Sequence, residues 1–299
     1  MADSTASSAW RLTDRVLELD RPVGAGIVNV TTDSMFEGAR SGTPDQAIAD
    51  GVALADARFD MLDVGAVAAR SGPPVPAAEE AARLIPAIKG LAERTGLPIS
   101  ADTFSAEVAA AAVDAGAAAV NDIGGGADPG MFELVADRGC GYVLMHIEGP
   151  PREDRETPRF DDPVDHLKAW FTKRIQAALA AGMSEEQIVI DPGIDFDLGV
   201  ADGLELLRRL GELNDLGCPI YVSLSRKDLL GAVLAGSWEG RLPADQREWA
   251  TCAATALAVA AGAEIHRLHD ASALQAMRIA AAVRNGEAAA RPYAGAPGA

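Results

Sequence analysis

Short apolar runs alternate with longer stretches of helical period along most of the chain, beginning at residue 23. Buried parallel strands are near-continuous apolar runs, and each needs a crossover segment, usually a helix, before the next strand can pair with it. About eight such units can be counted, which is the number that closes a parallel sheet into a barrel. The predicted fold class is therefore α/β, as a single (β/α)8 TIM barrel. The predicted strands are Gly26–Val30, Met61–Gly65, Ile99–Asp102, Ala118–Ile123, Gly141–His146, Gln187–Asp191, Pro219–Leu224 and Glu264–Leu268.

Two of the intervening stretches predict amphipathic helices. Residues 79–91 carry apolar side chains at i, i+3, i+4 and i+7, and Pro86 is expected to kink this helix. Residues 164–179 carry a second apolar stripe, and His166 lies off that stripe, so this histidine is expected to face solvent. Only 5% of the residues are aromatic, so the core is expected to be aliphatic packing of helices on strands rather than a β-sandwich.

The amino-acid composition does not change abruptly along the chain, which predicts one structural domain. Residues 23–286 are assigned to the barrel and residues 1–22 to an N-terminal extension. The final residues, 287–299, are rich in Ala, Gly and Pro and are expected to be disordered.

The overall charge argues against two classes of partner. The chain holds 26 Lys plus Arg against 44 Asp plus Glu, a net charge of −18, and its pI is near 4.6. Nucleic acids and anionic membranes need a positive protein surface, so neither is expected as a partner. The three cysteines are odd in number and far apart, and no window suggests a membrane span, so the cytoplasm is the expected compartment.

Polar residues stand at or just beyond the carboxyl end of nearly every predicted strand. One such residue is readily explained as a helix cap or a loop hydrogen bond, but a whole series is not. In a parallel barrel these strand ends gather on one face, where barrel enzymes place their chemistry. The series predicts a polar site on that face, formed by Asn29, Asp63, Asp102, Asn121, His146, Asp191, Lys227 and His269.

The residue types in this series suit a planar heterocycle. The carboxylates of Asp102 and Asp191 could each accept paired N–H donors, as a 2-amino-4-oxo ring edge would present. Asn121 offers a donor and an acceptor for ring atoms of mixed character. Lys227 adds a positive charge, which together with Arg267 could offset a phosphate group in a chain that is acidic as a whole.

Several motifs, in this order and spacing, resemble the dihydropteroate synthase family over residues 23–285. They are GIVNVTTDS (26–34), ISADT (99–103), VNDIGGG (120–126), VLMH (143–146), IVIDPGI (188–194), SLSRKDLLG (223–231) and GAEIHRLHD (262–270). The resemblance implies a TIM barrel that condenses 6-hydroxymethyl-7,8-dihydropterin pyrophosphate with p-aminobenzoate and releases pyrophosphate. It also implies small-molecule substrates and a homodimer.

The resemblance implies a role for each matching position. Asp102, Asn121, Asp191 and Lys227 would hold the pterin ring, with Met145 packed against it. Asn29 would ligate Mg²⁺ on the pyrophosphate, and Arg70, Arg267 and His269 would neutralise the leaving group. The implied catalytic groups are Lys227, Arg267 and His269, and the implied acceptor pocket comprises Met35, Ser71, Ser225 and Asp228.

The loops expected to hold the second substrate depart from the family pattern. The usual ESTRPG is VAARSG at residues 67–72, so Ser71 replaces a Pro, and Met35 replaces a Phe. Asp228 replaces a Ser beside the lysine and would repel the carboxylate of p-aminobenzoate unless it faces away as a helix cap. Weak or absent turnover of p-aminobenzoate is therefore predicted.

Three functions stay open on the sequence. The first is a working synthase with an altered acceptor pocket, and the second is a pterin-binding paralogue that lacks synthase activity. The third is a methyltetrahydrofolate-dependent methyltransferase domain. Lys227, Arg267 and His269 argue against it, because a methyl donor carries no pyrophosphate for them to bind.

Overall fold

The computed structural model describes residues 9–30, 41–68, 72–153 and 158–286. Within these ranges ten strands and nine α-helices are defined. The strands are β1 (Ala9–Arg11), β2 (Val16–Glu18), β3 (Val23–Asn29), β4 (Met61–Gly65), β5 (Ile99–Asp102), β6 (Ala119–Asp122), β7 (Gly141–Met145), β8 (Ile188–Asp191), β9 (Tyr221–Val222) and β10 (Ile265–Leu268). The helices are α1 (Pro44–Asp56), α2 (Ala77–Thr95), α3 (Ala106–Asp114), α4 (Met131–Arg138), α5 (Pro163–Ala180), α6 (Val200–Arg208), α7 (Asp228–Ala235), α8 (Glu248–Ala260) and α9 (Ala271–Asn285).

Eight parallel strands form the predicted barrel. Their order is β8-β7-β6-β5-β4-β3-β10-β9, and a parallel bridge between Ile190 and Ile220 joins the last strand to the first. Helices stand between consecutive strands and pack their apolar faces on the outside of the sheet. The prediction of a single (β/α)8 TIM barrel is therefore confirmed.

Local sequence signals place the helices that frame the site. Asp162 caps α5 by accepting backbone N–H bonds from Val164 (2.8 Å) and Asp165 (3.0 Å). Thr43 caps α1 in the same way, ahead of Pro44 at the first helical position. Pro86, predicted to kink its helix, lies on the exposed side of α2, and the helix continues through it from Ala77 to Thr95.

A β-hairpin, β1 and β2, closes the amino-terminal end of the barrel. Trp10 is fully buried there, and its indole N–H donates to the backbone carbonyl of Gln187 at 2.8 Å. Its ring packs against Gly141, where a Cβ would stand 2.9 Å from the indole. The N-terminal extension therefore includes part of the barrel core, in one cluster with inward-facing residues such as Val143 and Tyr221.

Two further predictions concern the C-terminal tail and membrane-spanning segments. The tail, residues 287–299, lies outside the described residues. No helix in the described part of the chain is long and apolar enough to cross a membrane.

Candidate active site

A buried ion-pair network joins side chains of four barrel strands, β4, β5, β6 and β10. The Arg267 guanidinium donates through Nε to Asp63 (2.5 Å) and through Nη2 to Asp102 (2.7 Å). The Asn121 amide nitrogen donates to both Asp63 oxygens at 3.2 Å, and the Ser100 hydroxyl donates to one of them at 2.5 Å. Asp63 has no solvent exposure, so among the described residues these donors take the place of water around its carboxylate. It fixes the positions of two predicted site residues, Arg267 and Asn121.

Asp63 has a structural role that the sequence analysis does not predict. The available signal is its position, because an acid in the middle of the apolar run MLDVG must have a buried partner. That partner is Arg267 of β10, which is more than 200 residues further along the chain. Strands β4 and β10 lie on either side of β3, so the barrel topology brings the two residues together.

Asp191 ends β8 in a buried position. Its Oδ1 accepts the backbone N–H of Gly193 at 2.8 Å. Gly193 has a φ of +65°, and a Cβ there would lie 2.2 Å from the His146 carbonyl oxygen, so only glycine fits this turn. Burial raises the pKa of Asp191 to about 6, although the Gly193 bond and the charges of Lys227 and Arg267 oppose the increase.

Asp102 is perturbed in the same direction. Burial raises its pKa to about 7; the Arg267 charge opposes this increase, and the charge of Asp63 adds to it. Two carboxyl groups that titrate near neutral pH can each accept or donate hydrogen bonds at little cost. This pair therefore suits a heterocycle whose ring nitrogens differ in protonation.

The turn between β9 and α7 holds Lys227 in the same pocket. Lys227 is buried, and its Nζ lies 4.5 Å from the centre of the Phe196 ring. The Asp195 carboxylate accepts the first N–H groups of α7, including that of Leu229 at 3.0 Å, and so fixes the start of this helix. Arg226, in the left-handed region at φ +58°, pairs with Asp270 at 2.8 Å. The charge of Lys227 acts on both Asp102 and Asp191, so all three lie in one site.

His269 is uncharged in this structure. Desolvation, together with the charges of Arg267, Arg226 and Lys227, lowers its pKa to about 3. Its Nδ1 lies 2.8 Å from the Ser225 hydroxyl. The predicted cluster of Lys227, Arg267 and His269 therefore draws its positive charge from the first two, with the imidazole as a neutral hydrogen-bonding group.

Asp228 is paired inside the fold. Its Oδ1 lies 2.8 Å from Nη1 of the buried Arg247 and 3.2 Å from Nε of Arg241. Two guanidinium groups compensate its charge, so Asp228 is not an isolated anion beside the acceptor pocket. Of the predicted acceptor residues, Met35 and Ser71 lie outside the described residues, as does Arg70.

Met145 contributes an apolar surface to the mouth of the barrel. It is buried in a small cluster with Ile123 and Ile147, and Phe104 and Phe196 pack against this cluster. These residues lie at the end of β7 and on the loops that follow β5, β6, β7 and β8. They can support the face of a planar ligand whose edge the carboxylates bind.

Asn29 and His146 occupy different positions relative to this pocket. Asn29 ends β3, is half-exposed, and pairs in register with Gly65 of β4. His146 was expected at the mouth with the other strand-end residues, but its ring contacts the α5 residues His166 and Trp170 outside the sheet. Because side chains alternate along a strand, the inward position of Met145 directs the next residue outward.

Comparison with known proteins is consistent with this geometry. A protein-family model described as "Pterin binding enzyme" matches residues 25–269. The dihydropteroate synthase of Mycobacterium leprae is 39% identical over 252 residues, which cover 82% of this chain and 87% of that protein. A second Mycobacterium leprae protein, named inactive dihydropteroate synthase 2, is 37% identical over 265 residues and covers 87% of this chain and 89% of its own length.

A solved structure of Xanthomonas albilineans dihydropteroate synthase with 4-aminobenzoic acid superposes with a TM-score of 0.83 at 39% identity. The match covers 96% of this chain and all of that one. With a family model that matches residues 25–269 and relatives that match along most of their length, the chain belongs to the dihydropteroate synthase family of pterin-binding enzymes.

Proposed function

We propose that this protein is a dihydropteroate synthase, which joins 6-hydroxymethyl-7,8-dihydropterin pyrophosphate to p-aminobenzoate and releases pyrophosphate. The observation that carries the proposal is the buried pair Asp102 and Asp191, with raised pKa values, beside Lys227 and Arg267. Such a site offers acceptors for a pterin edge and positive charge for a leaving phosphate. The Xanthomonas albilineans relative bound to 4-aminobenzoic acid supports p-aminobenzoate as the second substrate.

The pterin ring is held by its edge and its face. Asp102, Asn121 and Asp191 hydrogen-bond the ring nitrogens and exocyclic groups, and Lys227 bonds an acceptor atom. The apolar cluster around Met145 packs against the ring. Because Asp63 holds Asn121 by two bonds, this part of the site is formed before substrate arrives.

The reaction replaces a carbon–oxygen bond with a carbon–nitrogen bond. The C–O electron pair leaves with pyrophosphate, the amine of p-aminobenzoate attacks the exposed methylene carbon, and the amine then loses a proton. Arg267 and Lys227 stabilise the charge that develops on the leaving oxygen, and His269 hydrogen-bonds the same group. Arg70 remains a proposed contact of the same phosphates.

A magnesium ion on the pyrophosphate is proposed as the cofactor. The half-exposed amide of Asn29 fits this role, because Mg²⁺ prefers hard oxygen ligands and keeps most of its waters when it binds through substrate phosphates. When bound, the ion neutralises part of the phosphate charge. Asn29 alone would hold it from the protein side among the described residues.

The acceptor pocket is proposed to include Ser225 and the surroundings of Asp228, together with Met35 and Ser71. Since Arg247 and Arg241 compensate the charge of Asp228, its repulsion of the p-aminobenzoate carboxylate is weaker than the sequence suggested. We therefore expect measurable turnover of p-aminobenzoate.

The decisive experiment is a turnover assay with pterin pyrophosphate and p-aminobenzoate, with pyrophosphate release as the readout, alongside calorimetry of pterin pyrophosphate binding. Asp228→Ser is the informative variant, since loss of the carboxylate leaves buried Arg247 uncompensated. We expect it to lower stability without raising turnover. Tight pterin binding without turnover in the wild type would instead indicate a paralogue that lacks synthase activity, and absence of binding would refute the assignment.

We also propose that the protein is a homodimer and that it is located in the cytoplasm. Helices α8 and α9 pack side by side and expose large apolar side chains, including Trp249 (82% exposed) and Val283 (77% exposed), as a subunit interface would. All three cysteines are free thiols, which accords with a reducing compartment.

A further inference from the structure

Three side chains with metal-ligating atoms meet outside the barrel mouth, between the end of β7 and helix α5. Nε2 of His146 and Nε2 of His166 lie 2.8 and 2.5 Å from the same oxygen, Oε1 of Glu148. All three ligand atoms lie within 4.8 Å of one another. None of these residues takes part in the pterin site proposed above.

The backbone of each residue is fixed by a different element. The His146 N–H donates to the Asp191 carbonyl at 2.8 Å, as an extension of the barrel sheet. The Glu148 N–H donates to the Asp197 carboxylate at 3.0 Å. His166 lies in the first turn of α5, and its N–H donates to the carbonyl of the capping residue Asp162 at 3.1 Å. Three independent anchors bring the ligand atoms together, as a preformed site requires.

Aromatic rings hold the two imidazoles from the sides. Trp170 stands edge-on to His146 with ring centres 5.1 Å apart, and Phe160 lies 4.4 Å from the His166 ring centre. The His146 side chain is fully buried, whereas Glu148 and His166 keep about a quarter and a third of their side-chain surface exposed. The cluster therefore has an apolar back and one open side, through which an ion and a water ligand can enter.

We propose that His146, Glu148 and His166 form a binding site for a divalent transition metal of the Zn²⁺ class, with solvent as a fourth ligand. Two imidazole nitrogens and one carboxylate oxygen are the ligand set that Zn²⁺ accepts in sites with an open position. At metal–ligand distances of about 2.0–2.2 Å, the ligand atoms of a tetrahedral site stand roughly 3.4 Å apart. The two nitrogen–oxygen pairs must therefore open by somewhat less than 1 Å, which the part-exposed side chains of Glu148 and His166 can supply.

The contacts of the cluster show which ring nitrogen faces the ion. Both imidazoles present Nε2 to the same Glu148 oxygen. A neutral imidazole that binds a metal ion through Nε2 carries its proton on Nδ1.

The site would join the loop after β7 to helix α5. Hydrogen bonds among the same three side chains already hold the arrangement that the ion would bind. Bound metal should raise the resistance of the protein to unfolding, because it binds the folded arrangement and not the separated ligands.

Titration of the metal-stripped full chain with Co²⁺ and Zn²⁺, without substrates, tests the proposal. We expect one Co²⁺ per chain, visible d–d absorption of a four-coordinate site, no thiolate charge-transfer band, and displacement by Zn²⁺. Glu148→Gln and His166→Ala should each weaken binding by more than about 100-fold, beyond the effect of losing an outer-sphere contact. Glu153→Gln, an exposed carboxylate of the same loop, is the matched control and should bind like the wild type.

Thermal unfolding gives a second readout. Zn²⁺ should raise the melting temperature of the wild type and of Glu153→Gln but not of the two ligand variants, and pterin binding should persist in all four proteins. Equal metal affinity in the wild type and His166→Ala, a thiolate band, or no metal-dependent shift would each overturn the proposal and leave the cluster as a hydrogen-bonded group.

Discussion

Replacing Asp191 with Asn should stabilise the protein while it weakens pterin binding. Burial raises the pKa of Asp191 from 3.8 to about 6, so the folded state prefers the protonated carboxyl. A raised carboxyl pKa gives stability that is complete below pH 4 and is lost as the pH rises through 6. At neutral pH the ionised side chain therefore destabilises the wild type, and the uncharged amide of Asn does not carry this penalty.

The size of the effect follows from the pKa shift. A shift from 3.8 to about 6 corresponds to at most about 3 kcal/mol at high pH. Roughly half of this penalty is present at pH 5, so the free-energy difference between Asp191→Asn and the wild type should grow by about 1.4 kcal/mol between pH 5 and pH 8. The bond from Gly193 can persist, because the Asn oxygen accepts it as the carboxylate does.

Urea unfolding at pH 5, 6, 7 and 8 measures this difference, and calorimetry at pH 8 measures pterin affinity. The pI near 4.6 makes lower pH unsuitable, because solubility is poor where the net charge is small. Asp20→Asn, an exposed aspartate of the N-terminal segment, controls for the general relief of negative charge. We expect the pterin affinity of Asp191→Asn to fall by about 1.5–3 kcal/mol. A pH-independent stability difference, or unchanged pterin affinity, would refute this reasoning.

Three further outcomes are expected. Asp63→Ala leaves Arg267 with one of its two carboxylates and should cost about 3–5 kcal/mol in urea unfolding; a loss below 1 kcal/mol would show that the pair is not structural. Trp10→Ala should lower the free energy of unfolding by about 3–5 kcal/mol and leave kcat unchanged, since the hairpin lies opposite the site; a fall in kcat at full folding would contradict the separation of the two ends. Trp249→Glu should convert a dimer to a monomer in sedimentation velocity, and an unchanged mass would place the interface elsewhere.

The barrel was predictable because its strands are buried on both faces. Each becomes a short apolar run that stands out between amphipathic stretches, as in Met61–Gly65, whose bounds agree between sequence and structure. The strand predicted at Pro219–Leu224 is shorter, Tyr221–Val222, because much of its pairing is reduced to the bridge from Ile190 to Ile220.

The N-terminal hairpin was not predicted because its strands have three residues each. Such a pair has almost no stability by itself, and its sequence shows too little alternation to signal a strand. Its structure depends on burial of Trp10 against the barrel, which no local pattern can report.

The sequence predicts which residues form the site better than it predicts which side chains pair with one another. Asp102, Asn121 and Asp191 follow from their strand-end positions, and alternation along β7 could have separated Met145 from His146. Asp228 pairs with Arg247 and Arg241, which lie on the segment between α7 and α8, and sequence alone does not show which residues of that segment fold back.

The family model begins at residue 25, yet the fold begins earlier. A protein that begins at residue 25 would lose Trp10, Leu12 and Leu19, and the apolar side chains around Val143 and Tyr221 at that end of the barrel would become exposed to water. Such a shortened protein would keep every residue proposed for catalysis and still aggregate, because exposed apolar surface of this kind drives association. For this barrel, the residues proposed for catalysis lie within a shorter segment than the residues that the fold requires.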